Sequence, residues 1–451
     1  MKIYNTLTNS LEEFKPISDD LVKIYVCGPT VYNYIHIGNT RPIVVFDTLA
    51  RFLMHKGYKL KFVQNFTDID DKIIKKANEM NISIEEVTKK YINAFIEDTN
   101  NLNLIKDVIR PKVTENLSEI IEMIQKLIDN GYAYKKENDI LFSIDKFKNY
   151  GKLSNQKLDE LNKGVRIDLT DKENEKDFVL WKGKKENEPY YDSPFSKGRP
   201  GWHIECSAMI NRYLGENIDI HAGGQDLIFP HHENEIAQSV CSTNEKSFFV
   251  KYWMHNAYIT LNNEKMSKST GNFLLLHDVL KEFSGEVVRY FILTSHYRKA
   301  QNFSKEELII AKKTVFNIKK QIAKFNNETE NNSSLVEEVI KDFETEFNKA
   351  LEDDLNTPKA LASISKAIKS GNKLLSENEK INLRPLGQRL VYYIENVLGV
   401  KLDKEIEMNN NEILNILLEV RQKLRDEKNY NLSDYIRDRL KEIDIDINDK
   451  K

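Results

Sequence analysis

The chain has 451 residues, 40% of them hydrophobic and 30% charged, and its 67 Lys and Arg against 70 Asp and Glu give a formal charge of −3. At about 150 residues per domain this is roughly three domains, enough to bury a core without staples. The hydrophobic share excludes disorder over most of the chain, and the near-neutral balance excludes an overall basic coat for nucleic acid while leaving room for a local basic face. Three cysteines cannot build a disulfide scaffold and read as reduced thiols of a cytoplasmic protein, open to a metal. Met1 to Ser10 carries no basic-flanked apolar run, and nowhere is there an apolar stretch of about 18 residues, so neither a targeting segment nor a membrane span is expected.

The first third reads as β–α–β. Lys23 to Cys27 is a short apolar strand, broken by Gly28-Pro29. A helix is expected from Thr40, with Thr40 as N-cap and Pro42 in its first turn; Val44, Val45, Leu49, Phe52 and Leu53 give it one apolar face, and Gly57 ends it. Leu60 to Phe66 is the next strand. The first turn of such a unit is where an open α/β sheet meets phosphate-bearing ligands. Helical patterns follow at about 84–102 and 114–130. Residues 132–200, with a strand at Asp139 to Ile144 and a Pro/Gly-rich end, read as an insertion. The sheet resumes at Ile218 to His221, a helix opens at Pro230, and Phe248 to Met254 is a further strand. Beyond Ser304 the pattern is helical and rich in Lys and Glu.

Five of the nine histidines (His203, His221, His231, His232 and His255) and two of the three cysteines (Cys206 and Cys241) fall between residues 203 and 255, which makes that window a candidate metal site. In Pro230-His231-His232-Glu233-Asn234-Glu235, a helix from Pro230 places His231 and Glu235 at i and i+4 on one face, where imidazole and carboxylate can chelate one ion. Cys206 precedes the strand at Ile218, and Cys27 ends a first strand that is central in a doubly wound sheet, so both can reach the same crevice. Two thiolates, an imidazole and a carboxylate suit zinc better than magnesium or calcium. The same spacing also admits a capping histidine and three core thiols. His36-Ile37-Gly38-Asn39 occupies the first βα turn: Gly38 admits a nucleotide to the backbone, and His36 can donate to a phosphate. Lys265-Met266-Ser267-Lys268-Ser269 follows an alternating strand at Ala257 to Leu261 and reads either as a clamp on a leaving pyrophosphate or as an ordinary solvated loop.

Together the first-turn motif, the lysine motif and Gly223 to Glu235 resemble the class I aminoacyl-tRNA synthetases, and within them the cysteinyl-tRNA synthetases. Tyr25 to Tyr32, Asn65 to Lys72, Asp177 to Lys182, Gly198 to Ser207 and Asp353 to Pro358 extend the similarity over nearly the whole chain. The resemblance implies a Rossmann-like doubly wound parallel sheet with an insertion, followed by an all-α C-terminal helical bundle and a small C-terminal region. The expected parts are a catalytic first half at 1–115, a connective insertion at 116–205, a catalytic second half at 206–255, a lysine-motif and stem-contact region at 256–305, a tRNA-binding bundle at 306–400 and a small helical region at 401–451.

It further implies that L-cysteine is activated by ATP to cysteinyl-adenylate and transferred to the 3′ end of tRNA(Cys). One zinc ion per chain selects the cysteine thiolate, and magnesium enters with ATP. The family's zinc ligands fall on Cys27, Cys206, His231 and Glu235. His36, Asn39, Lys265 and Lys268 match catalytic positions; His36, Gly38, Asn39, Asp226 and Lys268 match ATP-side positions; Thr67 and Trp202 match the amino-acid pocket. The first motif often ends in His where Asn39 stands here. A cytoplasmic monomer is expected, with no membrane partner. Lys313, Lys319, Lys320 and Lys324, and then Arg421, Arg425, Arg437 and Arg439, are candidate tRNA contacts, and Cys241 is expected to be a core thiol away from the metal.

Overall fold

The computed structural model describes residues 1–156, 176–186, 188–243, 249–261, 264–265, 274–326, 333–377, 380–402, 410–441 and 445. The chain opens with a hairpin, β1 (Lys2–Asn5) and β2 (Ser10–Glu13). The expected βαβ unit follows as β3 (Leu21–Val26), α1 (Ile37–His55) and β4 (Lys59–Gln64). Helices α2 (Asp71–Met80) and α3 (Ile84–Asn100) lead to a short β5 (Val108–Ile109). Then come α4 (Leu117–Asp129) and an antiparallel sheet of β6 (Ala133–Lys136), β7 (Asp139–Phe142), β8 (Phe178–Gly183) and β9 (Gly198–Pro200). The α/β layer resumes with α5 (Ile204–Leu214), β10 (Ile218–Gly224), α6 (Glu233–Thr243) and β11 (Val250–Asn256). A small sheet of β12 (Ile259–Leu261), β13 (Glu264–Lys265) and, after α7 (Leu276–Glu282) and α8 (Gly285–Leu293), β14 (Gln301–Phe303) leads to helices α9 (Lys305–Phe325), α10 (Ser334–Glu352), α11 (Thr357–Glu377) and α12 (Arg384–Tyr392). These elements form one compact unit, Met1–Lys401. A second unit, Leu402–Lys451, holds the hairpin of α13 (Asn410–Asp426) and α14 (Tyr430–Lys441), in which the buried Arg421 donates to the Ser433 carbonyl at 3.3 Å. Arg421 thus braces that hairpin and is not an exposed contact for nucleic acid.

Among the described residues the main sheet runs in the order β11-β10-β3-β4-β5, with every pairing parallel. Parallel strands need helical crossovers, which cover both faces, so the central strand is apolar apart from Lys23. Val22, Ile24, Tyr25 and Val26 of β3 are accordingly buried. The chain winds from β3 to β4 and β5 on one side and returns to β10 and β11 on the other. The crevice of a doubly wound sheet therefore opens at the carboxyl ends of β3 and β10.

Helix α1 begins three residues earlier than the sequence reading places it. His36 is the N-cap, in extended conformation, and Thr40 and Pro42 lie inside the helix. Asn39 explains the shift: as the third helical residue its Oδ1 accepts from the His36 backbone N–H at 3.2 Å, the reciprocal half of a capping box. Pro42, lacking an N–H, leaves the Gly38 carbonyl without its helical partner, so the first turn stays open toward the crevice.

The buried middle of α1 is tied to α8 by charge. Asp47 accepts from Arg289 Nη2, from Arg51 Nε at 2.8 Å and from the Ile105 N–H at 2.7 Å. The wholly buried Arg289 also donates to the carbonyls of Leu398 (2.6 Å) and Leu102 (3.0 Å). Gly399, at φ +69°, is required there, since a Cβ would stand 2.4 Å from Arg289 Cζ. Replacing Asp47 by Ala strands a buried guanidinium, and the expected cost is about 3–5 kcal/mol. The urea midpoint of Asp47→Ala should fall accordingly; an unchanged midpoint contradicts this brace.

Candidate active site

Four chain segments converge at the carboxyl ends of β3 and β10. Cys27 follows β3 directly, Cys206 lies in the first turn of α5, His231 belongs to the turn Ile228–His232 after β10, and Glu235 lies in the first turn of α6. The turn is not a simple helix start, because Phe229 breaks the helical conformation; His231 and Glu235 nevertheless meet at i, i+4, with Nε2 to Oε1 at 2.9 Å. The donor atoms of Cys27, Cys206, His231 and Glu235 all lie within 4.8 Å of one another. Tetrahedral zinc with bonds of about 2.0–2.3 Å needs donor separations of about 3.3–3.8 Å, which this set reaches with little movement.

The charges fit a cation as well. Glu235 is fully buried, which opposes its ionisation, yet His221 and His231 hold its carboxyl down at about 2. Burial opposes a proton on His231, but Glu235 and Cys206 raise it to about 10. The hydrogen bond from Cys27 lowers the Cys206 thiol, while burial and Cys206 raise Cys27. A buried carboxylate and thiolate thus surround one imidazolium, a balance that a divalent ion meets better than a proton.

Behind this set stands a wall of imidazoles that the motif reading does not resolve. His221 Nε2 reaches the second oxygen of Glu235 at 2.8 Å. His232 Nε2 lies 3.3 Å from Cys27 Sγ, and its Nδ1 lies 2.8 Å from His255 Nε2, whose Nδ1 meets Thr6 Oγ1 at 2.7 Å. His203 Nδ1 lies 3.0 Å from His231 Nδ1. Cys27, His221, His232 and Glu235 form a second group of donors within the same 4.8 Å. Such outer partners orient ligands and fix tautomers. The signal for them in the sequence is the density of histidine in one window; the facing of each ring depends on strand register.

In front lies a cavity of about 310 Å³, lined by Cys27, Cys206 and His231 and by His36, Gly38, Asn39, Thr67, Trp202 and Asp226. Nine sequence-derived positions therefore share one space, while Glu235 sits behind them. Trp202 places its half-exposed ring over His231, with centroids 4.6 Å apart. Thr67 Oγ1 donates to Glu205 at 3.4 Å and accepts from Asn65 Nδ2 at 3.3 Å. Asn65 Oδ1 also accepts from the Gly28 N–H at 3.0 Å, and any Cβ on Gly28 would lie 1.5 Å from the Asn65 carbonyl oxygen, so this approach needs glycine. Burial lowers the pKa of His36 although Asp226 opposes this, and its Nδ1 has no partner among the described residues. The sequence reading missed Ile43, Asn256, Tyr258 and Ile259, which also line it. Lys265 is described only as backbone in β13, and Lys268 lies outside the described residues.

Residues 13–313 match the tRNA synthetases class I (C) catalytic domain, and residues 346–403 match the DALR domain. Over the whole chain the sequence is 50% identical to the cysteine–tRNA ligase of Fusobacterium nucleatum, covering 98% of that protein. The chain belongs to the cysteine–tRNA ligase family. Its activity is that of the family, cysteine–tRNA ligation. The Carboxydothermus hydrogenoformans cysteine–tRNA ligase is 47% identical, again over the whole chain and 98% of the relative. A Mycobacterium tuberculosis methionyl-tRNA synthetase in complex with methionyl-adenylate shares the fold, with a TM-score of 0.65 at 14% identity over 88% of this chain and 94% of that one. Among the described residues no helix is long and apolar enough to cross a membrane.

Within this ligase fold Cys241 is a core thiol. It is buried in α6, burial pushes it up to about 12, and it joins neither donor group. Cys241→Ala should leave the metal content of the purified protein unchanged and cost about 1 kcal/mol of stability. Loss of metal, measured by elemental analysis, would place this thiol in the site.

Proposed function

We propose that Cys27, Cys206, His231 and Glu235 hold one zinc ion at the floor of the cavity, and that this ion makes the enzyme select L-cysteine. The carrying observation is the convergence of two thiols, an imidazole and a carboxylate where the Trp202 ring closes the pocket. Bound there, zinc supplies a borderline-soft partner for the substrate's sulfur, which a serine hydroxyl, with its far higher pKa, matches poorly. Discrimination of this kind needs no proofreading site. His203, His221 and His232 orient the holding groups, and Trp202 and Thr67 shape the space for the rest of the amino acid.

The reaction on this reading has two steps. A cysteine carboxylate oxygen attacks the α-phosphorus of ATP, forming cysteinyl-adenylate and releasing pyrophosphate. A ribose hydroxyl at the 3′ end of tRNA(Cys) then attacks the activated carbonyl, and AMP leaves. Both steps depend on positioning and charge stabilisation. The His36 ring, the Asn39 amide and the open first turn of α1 face the phosphates, and Lys265 and Lys268 neutralise the leaving pyrophosphate. Asp226 lies on the nucleotide side. Magnesium arrives with ATP, since Asp226 is the sole carboxylate among the described lining residues. Lys313, Lys320 and Lys324 on the exposed side of α9 are offered to tRNA; Lys319 is engaged by Glu286 at 3.4 Å. The enzyme acts as a cytoplasmic monomer with the partition into parts expected from its sequence.

Cys206→Ser tests the ligand set. The variant should lose zinc and cysteine-dependent ATP–pyrophosphate exchange together. Stoichiometric zinc with full exchange in that variant would refute the assignment. Exchange that proceeds without transfer to total tRNA in the parent enzyme would instead refute the second step.

A further inference from the structure

Arg41 follows Asn39 by two residues on α1, wholly buried, with no carboxylate among its partners in the described residues. Its guanidinium donates to four carbonyls on two other segments. Nη1 reaches Ala257 O (3.0 Å) and Tyr258 O (2.8 Å); Nη2 reaches His296 O (3.0 Å) and Lys299 O (2.5 Å). The first segment leads into β12 and the second into β14, which are paired strands of the small sheet. One planar fork therefore bolts that sheet to α1, two residues beyond Asn39.

The same sheet supplies Tyr258 and Ile259 to the cavity wall facing His36, Gly38 and Asn39. β13 pairs with β12 and ends at Lys265, where the lysine motif starts. On the far side of that motif the chain is tied to the first turn again: the Ile37 N–H donates to Leu274 O, and the Leu276 N–H to Ile35 O, both at 2.9 Å. The 296–299 segment is fixed in turn by Asp354, which accepts from Tyr297 Oη (2.6 Å) and Arg298 Nε (2.7 Å). A buried cation is expensive, and burial lowers its pKa to about 10. Lysine could not replace it, because a point charge cannot serve four carbonyls in one plane.

We propose that Arg41 is a positioning residue for adenylate formation: it sets the spacing between the first-turn motif and the wall and strand from which the lysine motif departs. It acts on the nucleotide half of the site and leaves the thiol half alone. This rests on the reading of that half as the ATP side.

The test is Arg41→Lys in the full chain, which keeps charge and most of the buried stem. Pyrophosphate exchange should show kcat/KM for ATP reduced on the order of tenfold or more, as small misplacements cost. The KM for cysteine and the zinc content should stay within about twofold of the parent, the margin of ordinary binding differences. Arg41→Lys with parental ATP kinetics overturns the proposal. So does a parallel loss for ATP and cysteine that tracks a lowered melting temperature, which marks a merely structural role; if Arg41→Lys does not fold, Tyr297→Phe, which loosens the hold of Asp354 on the 296–299 segment that Arg41 grips, should give the same ATP-selective loss, and an equal loss for both substrates counts against it. A parent enzyme that exchanges pyrophosphate only with another amino acid would overturn the cysteine reading while leaving the Arg41 effect on ATP measurable.

Discussion

The site depends on a carboxylate that water cannot reach. Glu235 has no exposed surface, and an isolated carboxylate in such a place would take up a proton. It stays charged because imidazoles meet both of its oxygens, His231 at 2.9 Å and His221 at 2.8 Å. Each arrives by a different route: His231 by the i, i+4 geometry of the turn into α6, His221 by its place on β10. Without both routes one oxygen of the buried carboxylate would lose its imidazole partner.

That dependence explains why the insertion stands between the two halves of the sheet. α6 must not slide, because a shift of one residue would turn Glu235 away from Cys27. Its first turn is pinned from the insertion: Glu233 accepts from the Gly151 N–H at 2.9 Å and the Ser154 N–H at 2.8 Å, and Asn234 accepts from Tyr150 Oη. The insertion's own edge is held to the start of α2, where Asp71 receives both Lys182 (2.9 Å) and Arg199. Conformational freedom lost at the turn that carries the donor group is thus offset by hydrogen bonds made away from the cavity.

Local pattern made the donor residues legible. His231 and Glu235 share a face by helix period alone, and Cys27 follows a strand that must be central once a βαβ unit opens the domain. Contacts that depend on register were hidden. His221 points at Glu235 only because β10 pairs with β3 so that Ile220 stands opposite Ile24, and no periodicity in either strand states that alignment. Arg41 was hidden for a similar reason: its partners are backbone carbonyls, which carry no residue type to recognise. The start of α1 was misplaced because Thr40 and Pro42 are good helix openers in isolation, whereas Asn39 reaching back to His36 wins in the fold.

The same bond accounts for Asn39 in a motif that often ends in His. The position accepts from the His36 backbone, which orders the turn, and on the proposed ATP reading it also presents donors to an anion in the cavity. An amide performs both at once, since its oxygen serves the cap while its NH₂ hydrogens are left over. Its donors are neutral, so on that reading they would serve developing phosphate charge without holding the ground-state nucleotide as a fixed cation would. Arg41, half a turn further along α1, is a buried charge enclosed by four carbonyls and so is not offered to the cavity. The first turn can therefore exchange imidazole for amide and keep its geometry, because that geometry is set by the cap on one side and the guanidinium fork on the other.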